Sequence, residues 1–296
     1  MRAYLELVRL PAVFTAPADV LAGVALGGLA AAGQGGGVPN ALPLLAVVLA
    51  SVCIYAGGMA ANDLFDQAVD RAERPGRPIP SGRVGVRAAW TLVLVLQALG
   101  VALASLGGGG LAAMACGGTV AATYLYNGLL KDGPLGPLAM GLCRYGNATI
   151  GLAALGVGPQ AAPVAYALPL GTLLYVAAIT AVSRYEVSGT PGPGLHRALV
   201  AMLAWAAAPA VGAATGALLP WAAAAAVAAP AALVRPVRAA WGGGGPAVRG
   251  AVRAGIFGIA LVNAALAVGA GAPLTAALIV ALALAGRRFG RWFSAT

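Results

Sequence analysis

Apolar runs of roughly 20 residues recur along the chain from Ala12 to Gly286, each long enough to cross the hydrocarbon of a bilayer as a helix. Polar or Gly/Pro-rich punctuation divides them into ten candidate spans: 12–32, 41–61, 88–106, 110–129, 135–156, 163–183, 196–214, 217–234, 251–269 and 272–287. The odd-numbered connections, among them 33–40, 107–110, 158–162 and 269–273, are short and uncharged. Nearly all loop charge lies in the even-numbered connections and at the termini. This pattern predicts an all-α integral membrane protein with a single membrane domain over residues 1–296.

Composition sharpens that reading. Hydrophobic residues make up 60% of the chain and charged residues only 9%, whereas soluble domains carry about 25% charged residues. A net charge of +10 would suggest nucleic acid in a soluble protein, but 17 of the 18 Lys and Arg residues fall on one side of the predicted spans, with Arg144 the exception. The basic residues therefore read as orientation signals, nucleic acid is not an expected partner, and both termini with the even-numbered loops are expected in the cytoplasm. Met1–Leu10 lacks a small-residue cleavage site after a short apolar core, so Ala12–Ala32 reads as the first span and not as a signal peptide. The long eighth loop, from Arg235 to Arg253 around a Gly-rich centre, is expected either along anionic headgroups or free in solvent. Cys53, Cys116 and Cys143 sit inside apolar runs without metal-ligand spacing and read as small packing residues. His196, the single histidine, excludes a multi-histidine site and reads as a surface residue.

The stretch after the second span carries the chemistry. Asp63, Asp66 and Asp70 are spaced three and four apart, so they stack on one face if the helix continues past the membrane edge. Clustered carboxylates repel unless cations neutralise them, which here means Arg71, Arg74 and Arg77 or a bound metal. Oxygen ligands at this density suit Mg²⁺, which takes one or two carboxylates, waters and substrate phosphate oxygens. The arginines fit a phosphorylated ligand, because guanidinium pairs with phosphate oxygens in bidentate fashion. Pro75, Pro78 and Pro80 should end the helix and stiffen the loop. The plainer reading is a solvated loop that sets topology only, but topology needs arginine and not a carboxylate ladder.

Asn62, Asp63, Asp66 and Asp70, followed by Arg74-Pro75-Gly76-Arg77-Pro78 and Ser81-Gly82-Arg83, resemble the first signature of the UbiA superfamily of membrane prenyltransferases. Tyr124-Leu125-Tyr126 with Lys131 is similar to the family's tyrosine-then-lysine loop. The resemblance implies a bundle of nine to ten transmembrane helices around a central cavity that is capped by the segment 62–87. It implies a Mg²⁺-dependent prenyltransferase, an enzyme transferring alkyl or aryl groups other than methyl, that moves an isoprenoid from its diphosphate to an aromatic or other hydrophobic acceptor. Asp63, Asp66, Asp70 and Glu186 would then be the catalytic carboxylates and metal ligands, and Asn62, Arg74, Arg77, Lys131, Arg184 and Tyr126 substrate contacts. A second Asp-rich signature belongs near 183–196, but there Val182-Ser183-Arg184-Tyr185-Glu186 keeps one acid, with Ser183 where an aspartate is expected. That departure motivates a second reading, a binding or trafficking protein with the cradle but little or no catalysis. Leu174–Val187, Ser51–Gly58 and Met140–Arg144 are similar to the EboC-like branch, which implies secondary metabolism and a bacterial inner (plasma) membrane location.

Charge inside a span is costly and points to function, which singles out Asp19 and Arg144. They read as an acceptor-binding or cavity pair, as a structural ion pair, or as groups reaching the headgroups, and Asn147 joins them one turn beyond Arg144. Tyr55, Tyr145 and Tyr175 read either as lining of the prenyl path or as packing. A secondary transporter would need polar, broken segments at mid-membrane in both halves, and the CDP-alcohol phosphotransferases need an Asp-Gly then Ala-Arg order that is missing here.

Overall fold

The computed structural model describes residues 1–33 and 40–294, the side chains of Pro11 and of 291–294 excepted. Most of the expected first connection, 33–40, and the side chain of Arg291 counted among the orientation signals lie outside the described residues. The described residues form helices and turns only: α1 (Arg2–Leu7), α2 (Leu10–Val13), α3 (Ala16–Ala32), α4 (Ala41–Phe65), α5 (Gln67–Glu73), α6 (Val86–Leu125), α7 (Gly136–Ala153), α8 (Pro163–Ala167), α9 (Leu170–Ser183), α10 (Pro193–Ala206), α11 (Pro209–Ala214), α12 (Trp221–Ala225), α13 (Ala228–Trp241), α14 (Gly245–Gly269) and α15 (Pro273–Ser294). With no water in a bilayer core, backbone polar groups must pair within each segment, and helices do this.

Among the described residues, six helical stretches are long and apolar enough to cross a membrane, fewer than the nine to ten spans expected. α3, at 17 residues, is a shorter apolar helix, and three further physical features account for the rest of the difference. The 40 residues of α6 form two antiparallel arms that reverse at Gly109, whose φ of 70° and ψ of −165° are available to glycine without steric cost. The reversal is evident because Tyr124 donates to Gln97 Oε1 at 2.9 Å, although 27 residues of straight helix would separate them by about 40 Å. Elsewhere the helix breaks ahead of Pro209, leaving α10 and α11 as short pieces. In α7, finally, Arg144, Tyr145 and Asn147 dilute the apolar run. The long eighth loop is also absent as such. α13 continues through Arg235 and Arg238 to Trp241, α14 starts at Gly245, and only 242–244 separates them.

Small residues bring the backbones together. A Cβ added to Gly23 would fall 2.0 Å from the Ala148 carbonyl oxygen, and one added to Gly151 2.1 Å from that of Val20. α3 and α7 thus cross at backbone contact, as small residues permit in membrane bundles. This crossing sets Asp19 of α3 beside Arg144 and Asn147 of α7. Four buried apolar clusters fill the bundle around it, and the polar groups gather at one end, where α1, α5, the turn after α6 and the α9–α10 connection meet.

Candidate functional site: a cation-ringed cavity

A cavity of about 380 Å³ opens from that polar end into the bundle. Its depth is lined by Ile54, Tyr55, Gly58, Met59 and Met140, its mouth by Asn62, Asp66, Lys131, Ser183, Glu186 and the arginines Arg9, Arg74 and Arg77. A chamber with an apolar wall of Ile54, Met59 and Met140 beneath a charged rim suits an amphiphile with an anionic head.

The acidic ladder does not present one face. α4 ends at Phe65, Asp66 sits at the break with φ −84° and ψ 5°, and α5 resumes at Gln67. Asp63 and Asp70 are both buried and turn to Arg77, whose Nη1 lies 3.2 Å from Asp63 Oδ1 and 2.6 Å from Asp70 Oδ2. Arg9 adds a second guanidinium contact to Asp63 at 2.9 Å and reaches Asn62 Oδ1 at 3.2 Å. Asp66 turns the other way, into the cavity, and pairs with Lys131. Neither Asp63 nor Asp70 lines that cavity. Asn62 donates to Asn127 Oδ1 at 2.8 Å, which ties α4 to the turn that carries Lys131.

That turn is a π-type widening, Tyr126–Leu130, closed by the Lys131 amide donating to the Tyr126 carbonyl at 2.9 Å. It places Tyr126 and Lys131 in the cavity wall. Arg184 is held elsewhere. Its Nη2 donates to the carbonyls of Lys131 at 3.1 Å and Gly133 at 2.5 Å, so it braces the Lys131 loop and is not in the cavity wall. Glu186 lies in the wall, and its carbonyl accepts from Arg249 at 3.2 Å.

Deeper down, Asp19 is fully buried. Its Oδ2 lies 2.9 Å from Arg144 Nε, close enough to pair the charges although the N–H is not directed at it. Asn147 Nδ2 donates to the same oxygen at 3.1 Å, and Asn263 Nδ2 donates to Oδ1 at 2.7 Å. The Asp19–Arg144 pairing, one of the readings the sequence left open, is formed, and α14 joins it across the bundle. Thr15 completes the set, its carbonyl accepting from Arg144 Nη2 at 3.0 Å. Arg144 and Asn147 line the cavity floor, with the Arg144 guanidinium 5.7 Å from the Tyr55 ring centre. Of the three tyrosines considered for the prenyl path, Tyr55 alone lines this cavity: Tyr145 donates to the Tyr166 carbonyl and Tyr175 to that of Gly255. His196 stacks on Trp241 outside the cavity.

Sequence reading missed Arg9, Asn127, Asn263 and Thr15. Arg9 was counted only as an orientation signal, yet its φ of 50° is unusual for a residue with a side chain and turns α1 into α2 just where the guanidinium meets Asp63. Nothing local in the sequence marks it.

Among the described residues no three His, Cys, Asp or Glu side chains converge on a point that could hold a metal. The donors still fit Mg²⁺ arriving with a phosphorylated ligand, since Asp66 and Glu186 share the cavity mouth with Asn62 and that ion needs only one or two carboxylates.

Comparison with known proteins places these features. The model of the "UbiA prenyltransferase family" matches residues 20–242. A digeranylgeranylglyceryl phosphate synthase of Ignicoccus hospitalis is 41% identical over 140 residues, which is 47% of this chain and 43% of that one. The protein of the same name from Methanopyrus kandleri is 44% identical over 135 residues, 46% of each. The chain thus spans less than half the length of these curated relatives. A UbiA homolog from Archaeoglobus fulgidus bound to DMAPP and Mg²⁺ has the same fold, with a TM-score of 0.55, 18% identity, and coverage of 96% of this chain and 98% of that one. The two relatives are archaeal, which overturns the expected bacterial inner membrane and points to an archaeal one. Their names likewise give no support to an EboC-like placement or to secondary metabolism.

Proposed function

Since the chain belongs to the UbiA prenyltransferase family, we propose that it transfers an isoprenoid from its diphosphate to a hydrophobic acceptor within the membrane. The observation that carries this reading is the cavity itself: set within the bundle, with Ile54, Met59 and Met140 in its wall, Arg144 and Asn147 on its floor, and Arg9, Arg74, Arg77 and Lys131 around its mouth. The diphosphate sits among those cations, with the prenyl tail against Ile54, Met59 and Met140. Asp66, with Asn62 and Glu186, would hold Mg²⁺. When bound, the ion neutralises charge on the leaving group.

Lys131 and the arginines stabilise the negative charge that grows on the diphosphate as the allylic C–O bond breaks and its electron pair departs with the leaving group. Asp66 keeps Lys131 in place before substrate arrives, and Arg184 fixes the backbone behind it. Arg77 is aimed by Asp63 and Asp70, which makes these two carboxylates positioning residues for the cation ring. On the floor, Arg144 and Asn147 meet the polar part of the acceptor, held by Asp19 from behind. The surrounding apolar helices keep water from the electrophilic carbon, so that the acceptor's nucleophile forms the new bond and then loses its proton.

The test is turnover of the purified chain with prenyl diphosphates of several lengths and a panel of hydrophobic acceptors, products read by mass spectrometry. Asp66→Ala and Lys131→Gln should each lower turnover by roughly 100-fold or more, the scale of losing a group that stabilises developing charge. Turnover indifferent to both would reject the mechanism. Ser183 lies in the cavity wall where a second acid is expected. Tight diphosphate binding without product from any acceptor would favour the binding or trafficking reading instead.

A further inference from the structure

Behind the arginines that ring the cavity lies a second, shallower hollow of about 390 Å³. Arg9, Arg74 and Arg77 line both spaces, Lys131 lines the cavity alone, and Arg83 lines the hollow alone. The three shared arginines are therefore a partition with an anion-attracting chamber on either side. The chambers differ in one respect that matters chemically. The cavity offers Ile54, Met59 and Met140 to a tail, whereas the hollow is walled by four arginines, Glu6, Asp63, Gly76 and Pro78, with no aliphatic or aromatic side chain of that size. It fits a small polyanion without a tail.

The partition is unevenly held. Arg77 is locked between two carboxylates, but Arg74 is 54% exposed and its nearest carboxylate, Asp70, is 3.9 Å away, so its guanidinium can turn to either chamber. Arg83 is fixed on the outer side by Glu6 at 2.7 Å and by the Gly76 carbonyl at 2.7 Å.

We propose that the outer hollow is a binding station for inorganic pyrophosphate on its way out, a role that rests on the diphosphate-donor reading above. While the C–O bond is intact, the tail holds the donor in the inner cavity. Once it breaks, pyrophosphate loses the apolar share of its affinity and keeps only its guanidinium contacts, and the hollow offers those on the outer side of the same arginines. Loss of the tail therefore sets the direction of transfer.

The experiment uses the full chain in detergent with Mg²⁺ and titrates two probes by calorimetry, inorganic pyrophosphate and geranyl S-thiolodiphosphate, whose C–S bond does not ionise readily. Arg83→Gln should weaken pyrophosphate by roughly fivefold, the upper range for a half-exposed charge contact, and leave the thiolodiphosphate within about twofold. Lys131→Gln should weaken the thiolodiphosphate by the larger factor. Glu6→Gln, which removes a competing negative charge and is independent of how Arg83→Gln folds, should tighten pyrophosphate. Equal weakening of both probes by both variants would mean one site and overturn the proposal, as would pyrophosphate binding indifferent to Arg83 and Glu6. Failure of the thiolodiphosphate to bind the unaltered chain would instead sink the donor reading, the exit role falling with it, while Arg83-dependent pyrophosphate binding would still mark the hollow as a separate anion site.

Discussion

Asp19→Asn is the sharpest probe of the cavity floor, because it preserves shape and removes the charge of a fully buried side chain. Both oxygens of Asp19 accept: Oδ1 from Asn263 at 2.7 Å, and Oδ2 from Asn147 at 3.1 Å with Arg144 Nε 2.9 Å away. An asparagine offers one acceptor oxygen, and its amide would face another donor. Arg144, only 7% exposed, keeps its charge with Thr15 as its closest remaining oxygen partner. Neutral hydrogen bonds in membrane bundles average about 0.6 kcal/mol, so their loss is the smaller part. Leaving one member of a buried ion pair uncompensated costs about 3–5 kcal/mol, and that dominates. Thermal unfolding of the detergent-solubilised variant, followed by a thiol-reactive dye on buried Cys116, should show a midpoint lowered on the order of 10 °C. The decisive measurement is the double variant Asp19→Asn/Arg144→Gln. With the orphaned charge removed, at least half of the lost stability should return. If the double variant is as unstable as the two single losses added together, the pair is not coupled and the account of the floor is wrong.

Gly151→Ala should destabilise the bundle by about 1–3 kcal/mol, since a new methyl group meets the Val20 carbonyl oxygen and forces the α3–α7 crossing apart. Gly117→Ala, where nothing lies within 4 Å, is the matched control, and equal midpoints for the two would refute the close crossing. Chelating divalent ions should weaken prenyl-diphosphate binding to the unaltered chain by more than it weakens binding to Asp66→Ala, because Asp66 is the carboxylate best placed to share the ion. Calorimetry with and without EDTA reads this, and identical chelator effects on both proteins would remove Asp66 from that role.

The sequence by itself determined the solvent, the element type and the location of the chemistry. Apolar runs of membrane length admit only helices, the charge asymmetry puts the polar groups at one end, and the spacing of Asp63, Asp66 and Asp70 with the following arginines marks that end as the place for an anionic ligand. These are local properties, carried by residues within a few turns of one another. Tertiary structure alone decided which side chains share a space. Whether Asp66 stands with Asp63 and Asp70 or against them depends on a helix break at Asp66 itself, a backbone angle that spacing cannot express. Asn263 reaches Asp19 across 244 residues, and Arg9 reaches Asp63 across 54. Arg184, beside the weakened second signature, is drawn to two carbonyls of the Lys131 loop and away from the cavity it was expected to line. Each of these outcomes is set by how helices pack against partners distant in sequence, through close backbone crossings such as Gly23 on Ala148. Periodicity along one helix says which face is apolar, and the packing decides what that face meets.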